Sequence, residues 1–314
     1  MKFIDLHCDT VSKLMEDIDK YGLRSNDFHV DIEKLVKGNC LAQTFALYVD
    51  IDEIKNPYKY CMSMAKKFHN EMDKNKDVIK LATNYDEIMK NKSDGKVTAL
   101  MSIEEGAVLE GNIDNLKKFY NLGVRMMTLS WNHKNEICFP HNEAKYIDKG
   151  LTDFGREVVC KMNEYGMLID VSHISDGGFY EVAEFSKKPF IATHSNSREV
   201  TNHTRNLSDN MIKILADSGG VTGINFFHSF LSDNEGIESK IEYMVNHIKH
   251  IYNVGGIDVI AIGSDFDGIE SNVEIKDVSE MDKLYDPLKK EGFSDDQIEK
   301  IYNKNVLRVI KDVL

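Results

Sequence analysis

Among its 314 residues the chain has only four prolines and five cysteines, and nowhere a run of about 18 apolar residues. Without such a run no segment is expected to span a membrane. The opening MKFIDLHCDT puts polar and ionisable groups where a secretion signal needs an apolar stretch. The closing VIKDVL is too short and too charged for an anchor signal. The cysteines (Cys8, Cys40, Cys61, Cys138 and Cys160) are odd in number, scattered, and form no CxxC pair. A disulfide framework is thereby disfavoured and a reducing compartment fits better, so the expected location is the cytoplasm. Basic charge is scarce too: 39 Lys and Arg stand against 52 Asp and Glu, for a net −13. Such a surface repels a phosphate backbone and argues against nucleic acid as a partner. Low-complexity tracts, internal repeats and linkers are missing, and one domain over 1–314 is the simplest reading.

What is present is an ordinary globular balance, 42% hydrophobic and 29% charged, enough to bury a sizeable core. Eight short apolar runs predict strands at Phe3–Leu6, Leu41–Tyr48, Val97–Ile103, Val124–Leu129, Met167–Val171, Pro189–Thr193, Gly220–Phe226 and Asp258–Gly263. They are continuous more than alternating, as strands covered on both faces are. Helical patterns lie between them. Thr152 is placed to cap a helix burying Phe154, Val158, Met162 and Tyr165, and Ser208 one burying Ile212, Leu215 and Ala216. Between Ile237 and Tyr252 the helical period is kept by Ile241, Met244, Val245, Ile248 and Ile251, with His247 and His250 expected to face solvent. Strands alternating with helices imply a parallel sheet, either open or closed. An open dinucleotide-binding sheet wants a glycine-rich turn after its first strand, and here His7-Cys8-Asp9-Thr10 follows. The expected fold is a (β/α)8 TIM barrel.

In such a barrel the active site lies at the C-terminal strand ends. The polar residues falling there are His7, Asp9, Glu104, His173, His194 and Asp265, drawn from five different strands. Each alone has a plain structural explanation: an HxD pair makes turns, a single histidine hydrogen-bonds in cores, and Asp267-Gly268 is turn chemistry. Their shared placement is what points to a site. Imidazole nitrogens and carboxylate oxygens are the ligands zinc takes where a position must stay open, and a set this large suits a pair of ions. Alternation turns Cys8, between His7 and Asp9, away from such a centre. The remaining histidines (His29, His69, His141 and His203) show no partner pattern, and His228 comes after the seventh strand.

Three stretches carry a resemblance to a known family: GLTDFGREVVCKMNEYGMLIDVSHISD at 150–176, PFIATHSNSREVTNHTRNLSDNMI, and AIGSDFDG. With Asp5-Leu6-His7-Cys8-Asp9-Thr10 and the tail around Asn305-Val306-Leu307-Arg308, the likeness covers nearly the whole chain. It resembles the membrane (renal) dipeptidase family of metallopeptidases. The resemblance implies two zinc ions: His7 and Asp9 on the first, Glu104 bridging, His173 and His194 on the second. It further implies Asp265 as the acid–base residue, Arg205 as the grip on the substrate's free carboxylate, and a metal-bridging hydroxide as the nucleophile toward a dipeptide. L- and D-residues are both options on the C-terminal side, manganese or cobalt could stand in for zinc, and a homodimer is left open. Two departures stand out. Where the family usually has Gly-Gly after the bridging glutamate, this chain has Glu105-Gly106, an extra carboxylate that either alters charge near the metals or points to solvent. Where renal members place a histidine on strand four, this chain has Trp131, with Asn132 and His133 after it. Alternation puts His133, not Asn132, on Trp131's side. Trp131 and Asn132 are the expected substrate contacts. The competing readings are hydrolysis of another small amide (a cyclic amide, a β-lactam or an N-acyl amino acid) and a degenerate barrel kept as a scaffold.

Overall fold

A computed structural model describes residues 1–234 and 236–314. Eight parallel strands close into a barrel: β1 (Phe3–Asp5), β2 (Cys40–Tyr48), β3 (Val97–Glu104), β4 (Val124–Thr128), β5 (Leu168–Asp170), β6 (Ile191–Ala192), β7 (Val221–Ile224) and β8 (Ile260–Ile262). Each pairs with the next, and Asp5 opposite Ile262 closes the ring between β1 and β8. All eight expected strands are there: β2 and β3 each run one residue longer than expected, and the other six are shorter by a residue or two at one or both ends. Pro189 accordingly lies just before β6 rather than in it. A short extra strand, Ile79–Leu81, pairs with the start of β3, below the point where β4 joins it.

Nearly every strand residue is buried, which is what continuous apolar runs require when helices cover the outside and side chains fill the inside. One cluster takes a residue from every strand: Ile4, Leu41, Leu100, Met126, Leu168, Ile191, Val221 and Ala261. Val306, Val309, Ile310 and Val313, one stripe of the last helix Asn305–Val313, complete it. The barrel interior is thus packed shut below, leaving its other end for chemistry. The larger cluster fills the layer between strands and helices.

The helix starts read from the sequence are also present. Thr152 accepts from Gly155 N at the head of Asp153–Tyr165, and Ser208 from Met211 N at the head of Asp209–Asp217. In the helix Ile241–Gly255 the five apolar residues are buried as expected, but His247 is buried with them. It accepts from Ser197 N at Nδ1 (3.1 Å) and sits 3.1 Å from the Leu231 carbonyl at Nε2. The helix packs beneath the loops after β6 and β7, so its histidine meets backbone groups there instead of water. Among the described residues, no helix is long and apolar enough to cross a membrane.

Candidate active site

The six strand-end residues converge. His7 and Asp9 leave β1, Glu104 ends β3, His173 and His194 lie just past β5 and β6, and Asp265 just past β8. Glu104 Oε2 lies 3.0 Å from His7 Nε2, which is itself 3.6 Å from Asp9 Oδ2 and 4.0 Å from Asp265 Oδ1. The other oxygen, Glu104 Oε1, lies 3.0 Å from His173 Nε2 and 3.5 Å from His194 Nε2. One carboxylate therefore divides the cluster in two, presenting one oxygen to each half.

The surroundings fix how each group points. Asp170, buried at the end of β5, accepts from Thr193 Oγ1 at 2.6 Å, and Thr193 Oγ1 lies 2.7 Å from His194 Nδ1. With its own proton given to Asp170, the hydroxyl accepts the His194 Nδ1 proton and leaves Nε2 with a free lone pair toward Glu104. Asn132 Oδ1, 3.2 Å from His173 Nδ1, does the same for His173. At β1, Asp5 accepts from the Ser264 backbone N–H (2.8 Å) and hydroxyl (2.7 Å) and from Gln43 Nε2 (3.0 Å), tying together the strand ends beneath His7 and Asp265. Asp265 stands at φ 63°, an uncommon backbone for a residue with a side chain. Its Oδ2 accepts from Asn225 Nδ2 at 2.8 Å, which leaves Oδ1 to the cluster.

Burial pushes Glu104 and Asp265 well above the usual carboxylate range, against the pull of His7, and Asp9 adds repulsion to both. Burial works against a charge on His7, but Glu104 and Asp9 raise its ring well above the ordinary value. His173 and His194 are driven the other way, by burial first, then by Arg205 and His7 respectively. A field that draws protons to crowded carboxylates draws a divalent cation as well. The donors fit one: Asp9 Oδ1 is buried without a hydrogen-bond partner among the described residues, and the contacts at Nδ1 turn the Nε2 lone pairs of His173 and His194 toward Glu104. The triads His7–Glu104–His194 and His7–Asp9–Asp265 each hold their ligand atoms within 4.8 Å of one another. Gly268 keeps the space open, since a Cβ there would come within 2.0 Å of Asp9 Oδ2 and 2.9 Å of Asp265 Oδ1.

A cavity of about 530 Å³ stands over the cluster. Asp9, Glu104, His173 and Asp265 form its polar floor; Tyr48, Trp131, Phe227 and Phe230 form aromatic walls, with the exposed Glu16 and Glu53 beyond. Trp131 meets Tyr48 edge-on at 5.0 Å and lies 6.2 Å from the His173 ring. Arg205 is not on the cavity surface. It lies 2% exposed behind His173 and Phe230, donating to the Ser172 and His194 carbonyls, to Ser195 Oγ and to His173 Nε2 (3.2 Å), with Nε unpaired among the described residues.

Some side-chain directions differ from the sequence reading. Glu105 reaches neither the cluster nor solvent: it is fully buried and turned onto the loop after β4. His133 faces Asp50 (3.2 Å) and Asp52 (3.5 Å), while Asn132 turns toward His173. β4 ends at Thr128, so strand alternation no longer governs 131–133. His141, thought partnerless, lies 3.3 Å from Asn132 Oδ1 and 2.8 Å from Thr204 Oγ1. His29 lies 2.9 Å from Asp267. Asn225, Asp170 and Thr193 went unnoticed because nothing local marks a buried polar residue that serves a neighbour from another strand. Cys8 is buried, its sulfur 3.4 Å from Thr10 Oγ1.

Known proteins of similar sequence and fold point the same way. The family model for membrane dipeptidase (peptidase family M19) matches residues 1–314. Dipeptidase tcpJ of Claviceps purpurea is 30% identical over 295 residues, 91% of this chain and 69% of that protein. An uncharacterized dipeptidase of Schizosaccharomyces pombe is 28% identical over 335 residues, covering 99% and 80%. The solved dipeptidase AC, a metallopeptidase of family M19, aligns with a TM-score of 0.93 at 25% identity across 100% of this chain and 98% of its own. A Rhodobacter sphaeroides metallopeptidase, solved with a phosphinate mimic of L-Ala-D-Ala, shares the fold at a TM-score of 0.92 and 24% identity, over 100% and 99%.

Proposed function

The chain belongs to the membrane dipeptidase family, peptidase family M19, and is a metallodipeptidase; we propose that it works with two zinc ions held across Glu104. The observation that carries this is the split carboxylate, one oxygen toward His7 and the other toward His173 and His194. His7 and Asp9 would hold one ion, His173 and His194 the other, and Glu104 both. Such a pair would supply a hydroxide at neutral pH and polarise the scissile carbonyl.

The chain's own groups supply the rest. Asp265, with Oδ2 held by Asn225 and Oδ1 turned to the cluster, takes the nucleophile's proton and passes it to the departing amine. Trp131 and Asn132 bound the substrate's side of the cavity, the indole as an aromatic wall and the amide beside His173. Arg205 meets the substrate's free carboxylate. Its support is a buried guanidinium lying on the cavity-lining Phe230 ring (5.3 Å) with Nε free to donate, and the role requires it to turn toward the cavity. A cavity of about 530 Å³ has room for a dipeptide. The substrate class is then dipeptides with L- or D-residues at the C-terminal side. The four buried thiols and exposed Cys160 support a reducing, cytoplasmic home, and the shared barrel core supports reading 1–314 as one catalytic domain.

Hydrolysis of a dipeptide and its C-terminal amide, by the wild type and Arg205→Met, tests the assignment. The expected result is a strong wild-type preference for the free carboxylate, lost in the variant through a KM raised roughly 10- to 100-fold. Equal rates on acid and amide would remove Arg205 from its role.

A further inference from the structure

The residue after the bridging carboxylate has no part in the reaction described above, yet it occupies a costly position. Glu105 adopts φ 113°, a conformation that favours glycine, and buries its carboxylate completely. Both of its oxygens are engaged. Oε1 accepts from Ala107 N at 2.7 Å and from Asn135 Nδ2 at 2.5 Å, and Oε2 accepts from Trp131 N at 2.9 Å. Asn135 extends the grip, donating to the Leu129 carbonyl at 2.8 Å and accepting from Ile137 N and Cys138 N. Gly106 lets the two segments meet: a Cβ there would stand 2.5 Å from the Leu129 carbonyl and from Ile137 Cδ1.

The loop so held carries Trp131, an aromatic wall of the cavity, and Asn132, whose Oδ1 faces His173 Nδ1. It belongs to no strand or helix, so its conformation depends on these side-chain contacts. We propose that Glu105 is a positioning residue that tethers the loop after β4, setting where Trp131 stands against substrate and where Asn132 meets His173. The proposal rests on the reading of Trp131 and Asn132 as the substrate's side of the cavity. Through it, a carboxylate directly after the bridging one couples the metal-bearing strand β3 to the wall that selects the substrate.

The test is built in, because Trp131 is the chain's single tryptophan and its fluorescence reports this loop alone. Glu105→Gln keeps the size and one carbonyl oxygen. That oxygen satisfies Ala107 and Asn135, and the new amide group then faces the Trp131 N–H, donor against donor. Glu105→Gly removes every tether and relieves the backbone. Full-length wild type and both variants are compared by circular dichroism, Trp131 emission, acrylamide quenching, and kcat and KM on a dipeptide. In both variants the emission shifts and quenching rises, while kcat/KM falls roughly 10- to 100-fold with the larger share in KM. Unchanged emission and quenching in both would overturn the tether. Altered fluorescence with wild-type kinetic constants would overturn the positioning role. Should the wild type cleave no dipeptide, the reading of the site fails, while the fluorescence comparison still decides the tether. If the glycine variant does not fold, the glutamine variant decides alone.

Discussion

Asp265 has what an acid–base group needs: one oxygen anchored by Asn225, the other facing the cluster, and burial that raises its proton affinity. Asp265→Asn preserves shape and removes the exchangeable proton. Turnover is expected to fall by at least about 10²-fold, with calorimetric zinc binding nearly unchanged, since Asp265 is assigned to no ion. A variant that keeps turnover, or that loses metal and turnover together, would reassign it to another role. At this scale the sequence told residue types and not directions. The convergence of the six strand-end residues was legible because they fall where a barrel aims its strand ends at one mouth. Glu105, Asn132 and His133 were not, because strand alternation stops at Thr128 and their orientations are set by contacts with distant segments. Arg205 was singled out by likeness alone, and its place behind His173 had no local signal.

Elements were the most readable level. Eight continuous apolar runs became eight buried strands, and two hydroxyl caps began the helices expected of them, because both patterns arise from local chemistry. The helix Ile241–Gly255 shows the limit. His247 is three residues past Met244, inside the buried arc, and its polarity suggested solvent where packing beneath the β6 and β7 loops decided otherwise. Burial, and to a lesser degree His250, lower its pKa from 6.5 to about 4; the Leu231 carbonyl opposes them, and Ser197 and Thr201 nearby carry no charge. In the unfolded chain the ring protonates below about pH 6.5, and in the fold not until about pH 4. The stability it contributes is therefore whole above pH 6.5 and lost as pH falls toward 4, at up to about 1.4 kcal/mol per pH unit. Denaturant melts at pH 7 and pH 4.5 should show a smaller acid-induced loss in His247→Asn than in the wild type. Equal losses would mean that the ring titrates normally in the fold.

For the whole molecule, the barrel divides its labour between its ends. Below, the stripe of the last helix seals a core built from all eight strands. Above, Asp5 and Asp170 gather hydrogen bonds from neighbouring strand ends and hold the mouth in shape for His7, His194 and Asp265. An excess of acidic residues over the whole chain, −13 in all, suits a protein that gathers cations at such a mouth, although charge alone identifies no function. Closure was inferable from the His7–Thr10 stretch after β1, which lacks the glycines of an open nucleotide-binding sheet. That the plug is the final helix was not, because its apolar stripe resembles that of any covering helix until the contacts are known.

The central claim is that one carboxylate, Glu104, serves two ions in a dipeptidase. Zinc titrated into chelator-stripped protein, with hydrolysis of an L-X-L-Y and an L-X-D-Y dipeptide measured at each addition, tests it most directly. Activity should be absent without metal and climb to a plateau near two equivalents per chain. Full activity in chelator, or a plateau at one equivalent, would contradict it.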